Sequence, residues 1–251
     1  MNRSVLAAAA VILVAACGGG STASQAPSQV AQSSHASSSG GQAGQPVDIT
    51  GIQAAVAATK AHDSWQFTTV TYESGTPNYS NNVVGTQRST PQPAVKTTIS
   101  RTGMPDKIYI QIGNDVWYDD ATGSFVQTTA SDNAVIQAFQ PYYLDGLAQS
   151  AEDSGYEFQP VGPDTVSGVP TMHYRLDDAT IQSIVSNMKG MTTADWAADV
   201  WIATTDGSFM RLAWGPQSTD KAQLQPGFNY VITSLDCVCP VDPPAAVSQG
   251  S

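Results

Sequence analysis

The alternation of apolar and polar residues in its later segments constrains this chain more than any other feature. Met172, Tyr174 and Leu176 oppose Thr171, His173 and Arg175, and Met210, Leu212 and Trp214 oppose Phe209, Arg211 and Ala213. A period of two places each set on one face of a strand. One sheet face is then covered and the other wet, as in antiparallel pairing. Earlier segments carry the β-branched and aromatic residues that strands favour, at 65–72, 83–89, 95–101, 107–112, 116–118 and 125–128. Further strands are expected at 156–161, 171–176, 199–204, 209–214 and 228–235. Gly113-Asn114 and residues 119–123 supply hairpin chemistry.

Three helical stretches accompany the strands. In the first, Thr50 can cap a run in which Ile52, Ala55, Val56 and Thr59 recur at helical spacing. The second covers residues 132–150, where Ala134, Val135, Ala138, Phe139, Tyr142 and Tyr143 share a face and Pro141 imposes a kink. The third is capped by Asp177 or Asp178, carries Ile181, Ile184, Val185 and Met188 on its apolar stripe, and stops at Gly190. These elements predict an α+β fold: one strongly curved antiparallel sheet with helices on its concave side.

The N-terminus fixes location. Arg3 is the only charge ahead of an apolar run, residues 5–16, that is shorter than the ~20 residues needed to span a bilayer. This is the h-region of a secretory signal, ending in small residues directly before Cys17. Ala15-Ala16-Cys17 resembles the lipobox of bacterial lipoproteins, in which cleavage precedes the cysteine and its thiol is acylated; the alternative is an ordinary signal peptide with an incidental cysteine. The resemblance implies a body lipid-anchored, through Cys17, to the outer face of a bacterial cell membrane. Residues 17–46, rich in Gly, Ser, Ala and Gln, form a flexible tether with a reach of roughly 30 Å. Residues 47–243 form one domain, and 244–251 read as a second disordered end.

The chain carries 10 Lys and Arg against 21 Asp and Glu; without residues 1–16, which hold Arg3 and no acid, the balance is −12. So acidic a body is repelled by nucleic acid and by anionic headgroups. Membrane contact must therefore come from the acyl anchor and any apolar rim. Only His62 and His173 lie in the body, and no nucleophile elbow, zinc-binding helix motif or phosphate-cradling glycine loop is present. The adjacent carboxylates Asp119-Asp120 and Asp177-Asp178 suit turns and helix starts, and His62 suits a surface or capping role. No catalytic residue, metal site or cofactor is expected. Cys237 and Cys239 can bridge in an oxidising compartment, closing a very small ring that is easily reduced; too few ligands surround them for a metal. They read as an exposed, labile pair without catalytic purpose.

Two hairpins echo each other: Trp117-Tyr-Asp-Asp-Ala-Thr-Gly-Ser-Phe125 and Trp201-Ile-Ala-Thr-Thr-Asp-Gly-Ser-Phe209. Together with Ile108-Tyr-Ile-Gln-Ile112, Val166-Ser-Gly-Val-Pro170 leading into His173-Tyr-Arg175, and Ala198-Asp-Val-Trp-Ile202, they carry a resemblance over residues 47–243. The chain resembles the LolA-like lipoproteins of the LppX/LprG type. The resemblance implies a half-open β-barrel around helices, with an apolar cavity that binds lipid, glycolipid or acylated ligands and carries them within the cell envelope. The alternative is a non-enzymatic envelope sensor using the same cavity and a protein partner. The Cys237/Cys239 pair departs from the family pattern. The residues offered for cavity walls are Ile108, Ile110, Ile112, Val135, Phe139, Tyr142, Leu147, Met172, Trp201, Met210 and Trp214, with methionines as adaptable surface.

Overall fold

The computed structural model describes residues 44–72, 80–101, 103–119, 124–129, 156–186, 196–216, 227–245 and 247–248. Among these, thirteen strands form a single unclosed, curved sheet. They are β1 (Val47–Asp48), β2 (Ser64–Tyr72), β3 (Ser80–Arg88), β4 (Ala94–Arg101), β5 (Lys107–Ile112), β6 (Asp115–Asp119), β7 (Phe125–Thr129), β8 (Glu157–Val166), β9 (Val169–Leu176), β10 (Trp196–Ala203), β11 (Phe209–Pro216), β12 (Gly227–Leu235) and β13 (Val247–Ser248). Their order is β1-β8-β9-β10-β11-β12-β2-β3-β4-β5-β6-β7-β13. Every pairing is antiparallel except β13 on β7. The expected α+β class with a strongly curved, half-open antiparallel sheet is the one the chain adopts.

Helix α1 (Ile49–Lys60) buries Ile49, Ile52, Ala55, Val56 and Thr59, the face set by its 3.6-residue period. Its cap is Asp48 rather than the expected Thr50: the Asp48 carboxylate accepts from the Gly51 amide at 2.8 Å. Lys60 in the last turn complements the helix dipole. Helix α2 (Asp178–Ser186) is capped by Asp177, whose Oδ1 accepts from the Thr180 amide at 2.9 Å, and Ile181 is buried. The expected helix at 132–150, with Val135, Phe139, Tyr142 and Leu147, lies outside the described residues, as do Met188 and Gly190.

Both helices contribute to the main cluster, with Trp65, Phe67, Tyr174, Leu176, Phe209, Met210, Tyr230 and Ile232, and the sheet face that carries Phe67 and Tyr230 is the concave one. Two local departures from the alternation have clear causes. A bulge opposite Trp201/Ile202 leaves Met210 unpaired, so Phe209 joins Met210 inside, against the Tyr230 ring. Strand β8 runs to Val166, past the expected end, although Pro160 and Pro163 argue against a strand. They are tolerated because β8 is paired by only two residues on its outer side. Ser167 (φ 52°) and Gly168 (φ 82°) make the tight β8–β9 turn. Val247–Ser248, in the run read as a disordered end, pair with β7.

Candidate functional site

A single register row crosses the concave face of the sheet. Ile232 pairs with Phe67, Phe67 with Gly85, Gly85 with Thr97, Thr97 with Tyr109, Tyr109 with Tyr118 and Tyr118 with Val126. Directly opposed residues share a face, so all seven look toward the helix side. At the α1 end the row is dry: the Phe67 ring stacks on Tyr230 at 5.0 Å and both are fully buried. A Cβ on Gly85 would lie 2.1 Å from Phe67 Cζ, so only glycine lets this ring lie flat across β3. Toward β7 the row opens into half-buried Tyr109, Tyr118 and Val126, the two tyrosine rings stacked at 6.3 Å. Burial, and then the neighbouring Tyr118, holds the Tyr109 phenol above its usual range, so it stays neutral. The buried hydroxyls of Thr69 and Thr97 have no hydrogen-bond partner among the described residues.

The convex face is built differently. Ile108, Ile110 and Ile112 alternate with Tyr109 and Gln111 and point there, packing with Ala94, Trp117, Phe125 and Val241 in a second cluster. Trp201 also faces outward, because it pairs with His173 and Arg211. Its indole is sandwiched between the His173 ring (4.3 Å, 4°) and the Arg211 guanidinium (4.3 Å), and Nε1 donates to Asp164 Oδ2 at 2.8 Å. Beside this stack, buried Asp199 receives His173 Nε2 at 2.6 Å and Arg175 Nε at 2.7 Å. These contacts pair the Trp201 indole N–H with Asp164 and both oxygens of buried Asp199 with His173 and Arg175, which ties β8, β9 and β10 together.

Thus by register four residues offered as cavity walls, Ile108, Ile110, Ile112 and Trp201, face away from α1, Trp201 nonetheless buried in the main cluster, while Met172 and Trp214 share the face of Ile202 and Phe228, and Met210 is buried in the same cluster. The period-two pattern identified which residues alternate; it carried no information on which side of the sheet covers the isoleucine face of β5, because the residue that packs there, Val241, lies far along the chain. Phe67, Gly85, Thr97, Tyr109 and Tyr118 were missed for the same reason. Cys17 lies outside the described residues, and Cys237 is bonded to Cys239.

His62 is more than a cap. Its Nδ1 meets Asp236 Oδ2 at 2.8 Å, while Nε2 meets Ser208 Oγ at 3.2 Å and Asp206 Oδ2 at 3.3 Å. Serine, imidazole and carboxylate are in the sequence a nucleophile would need. Ser208 is fully buried, however, and Nε2 is shared with a second carboxylate, so no substrate carbonyl could reach the hydroxyl. The cluster is a clasp joining the end of α1, the β10–β11 turn and the exit of β12. Burial alone would lower the His62 pKa, but hydrogen bonds and charge from Asp236 and Asp206 outweigh it and hold the pKa above 6.5. The bond from His62, opposed by some burial, in turn holds Asp236 below 3.8.

A His raised on folding stabilises fully below its unfolded value and ceases to as pH rises through the folded one; a depressed carboxylate contributes above its unfolded value. The clasp is therefore intact between the acid range near 3.8 and the raised His62 pKa. In chemical denaturation at pH 5 to 9, the stability gap between the wild type and His62→Gln should be widest near pH 5–6 and narrow at alkaline pH. A gap that does not change with pH would show that the imidazolium charge contributes nothing.

No family model matches the chain, and no curated protein matches it in sequence. Solved structures similar to it include the Mycobacterium tuberculosis lipoprotein LppX, at 15% identity and a TM-score of 0.46, covering 77% of this chain and 97% of LppX. LprF from Mycobacterium bovis is similar at 14% identity and a TM-score of 0.45, over 79% of this chain and 97% of its own. MucB, solved in complex with MucA(peri), is similar at 11% identity and a TM-score of 0.41, over 79% of this chain and 60% of its own.

Proposed function

We propose that this protein is an extracytoplasmic lipoprotein, anchored through acylated Cys17, that binds lipid, glycolipid or acylated ligands against its concave face and carries them within the cell envelope. The supporting observation is the register row itself. An unclosed sheet presents a continuous apolar and aromatic wall that is tightly packed beside α1 and half-buried from Tyr109 to Val126. An acyl chain laid along the second part needs no charged contact, which fits a body of such acidity. Burying eight methylenes at about 0.8 kcal/mol each gives about 6 kcal/mol, an affinity in the tens of micromolar, and a second chain would tighten it.

Two measurements test this. Protein purified without detergent should release lipid on solvent extraction, identified by mass spectrometry, and should pass it to acceptor vesicles. Ligand that stays bound alongside a stable protein partner would point to a sensor instead, and the absence of any extractable lipid would defeat both. Labelled palmitate should be incorporated by the wild type and not by Cys17→Ala, which should also be lost from the membrane fraction.

A further inference from the structure

The segment after β12 crosses the whole convex face of half the sheet. Leu235 and Val247 are separated by twelve residue steps, and seven strand spacings lie between β12 and β13. At about 4.8 Å per spacing the crossing is about 34 Å, while twelve steps reach at most about 40 Å. The path is also square to the strands. The row Leu235, Trp65, Gln87, Val95, Gln111, Val116, Thr128 ends within three residues of Phe125 and Val126, where β13 docks. The tail is thus a nearly taut strap. Pro240, Pro243 and Pro244 suit an extended path, and Val241, midway, is 1% exposed in the apolar patch of Ala94, Ile110 and Trp117.

At the head of the strap sits the Cys237–Cys239 disulfide. Its flanks are fixed: the Asp236 amide donates to Ser64 O at 2.7 Å, and Ser64 Oγ donates to Cys237 O at 2.6 Å. The bond joins no two elements of the fold, and a loop with one intervening residue removes little chain entropy, so its value is not that of a staple. The ring stands out from the surface: Val238 is fully exposed and both cysteines are partly so. The bridge also shortens the strap. Its Cα atoms are 5.2 Å apart, against about 6.7 Å for two extended residues, so opening it adds about 1.5 Å of slack to a strap with little to spare.

We propose that Cys237–Cys239 is a thiol–disulfide exchange site, open to small-molecule or protein thiols, and that its reduction loosens the strap over the convex face. An incoming thiolate attacks one cysteine sulfur, the bond to the other sulfur breaks, and that sulfur leaves as a thiolate that takes a proton from water. A second thiolate attacks the sulfur of the bound thiol, releasing the oxidised disulfide and the second cysteine. Two thiols thereby give two electrons to the pair. Loosening frees the edge of β7 and uncovers Trp117 and Ile110, an apolar patch otherwise closed by the strap.

The test uses the full acylated chain in glutathione buffers of graded ratio, with alkylation and peptide mass spectrometry to score the pair and hydrogen exchange to score the strap. Reduction of the folded protein by low-millimolar reduced glutathione is expected, with about tenfold faster exchange at Phe125–Val126 and Val247–Ser248. The Cys237→Ser/Cys239→Ser double variant should show the same faster exchange without any reductant. A pair that stays oxidised in the native protein would overturn the exchange site. A pair that reduces with unchanged exchange at β7 and β13, in both the reduced wild type and the double variant, would overturn the link to the strap. Global unfolding on reduction, read by circular dichroism, would also overturn the proposal by making the bond a structural staple.

Discussion

Gly85→Ala should lower the unfolding free energy by about 1–3 kcal/mol, a large effect for a single methyl group. The new Cβ would fall 2.1 Å from Phe67 Cζ and within 3 Å of two further ring carbons, so the ring must leave its place. Phe67 is fully buried and stacked on Tyr230, itself fully buried and next to Phe209, so there is no solvent-side rotamer for it to occupy. The strain therefore spreads through the aromatic centre of the concave face. Urea unfolding of Gly85→Ala, Phe67→Leu and the double variant is the measurement. In the smaller Phe67→Leu background the added methyl group should cost much less, giving a coupling of about 1 kcal/mol or more. Additive effects would show that the glycine is needed for some reason other than the ring.

The second large effect is expected at Asp199. Its carboxylate is 3% exposed and holds both His173 Nε2 and the Arg175 guanidinium, the latter through Nε at 2.7 Å and a terminal nitrogen at 3.1 Å. Removing it leaves two donors facing a void under the sheet surface. Breaking a buried pair in this way costs about 3–5 kcal/mol, and because the Arg175 side chain is 40% exposed and can rehydrate, about 2–4 kcal/mol is expected for Asp199→Ala. His173 would then lose the contact that orients it against Trp201, so near-ultraviolet circular dichroism should change with stability. Loss of stability below about 1 kcal/mol would mean that the ladder is a solvated surface network after all.

These two positions show where the sequence could be read and where it could not. The bounds expected for β5 agree with the strand to the residue, and those for β2, β4, β6, β7 and β12 to within a residue at either end. Strand bounds of this kind need only local chemistry: β-branched and aromatic content, and turn residues such as Gly113, which has φ of 58°. The sequence does not say which side of the sheet covers Ile108, Ile110 and Ile112, since an apolar strand face can be covered from either side. Here the covering residue is Val241, more than a hundred residues on, and no pattern near β5 announces it. The role of His62 was likewise invisible, because its partners at Asp206 and Asp236 come from two distant turns.

The sequence alone determined that this chain makes long antiparallel strands with one face covered, and that α1 packs through Ile52, Ala55, Val56 and Thr59. Those properties follow from period, capping and composition, which are local. Only the tertiary structure decided that Phe67 lies over Gly85, that the tyrosine pair lines the concave face, and that the tail straps the convex one. Each of these depends on strand order and register, which are set by the packing of segments far apart in the chain and leave no trace in any single one of them.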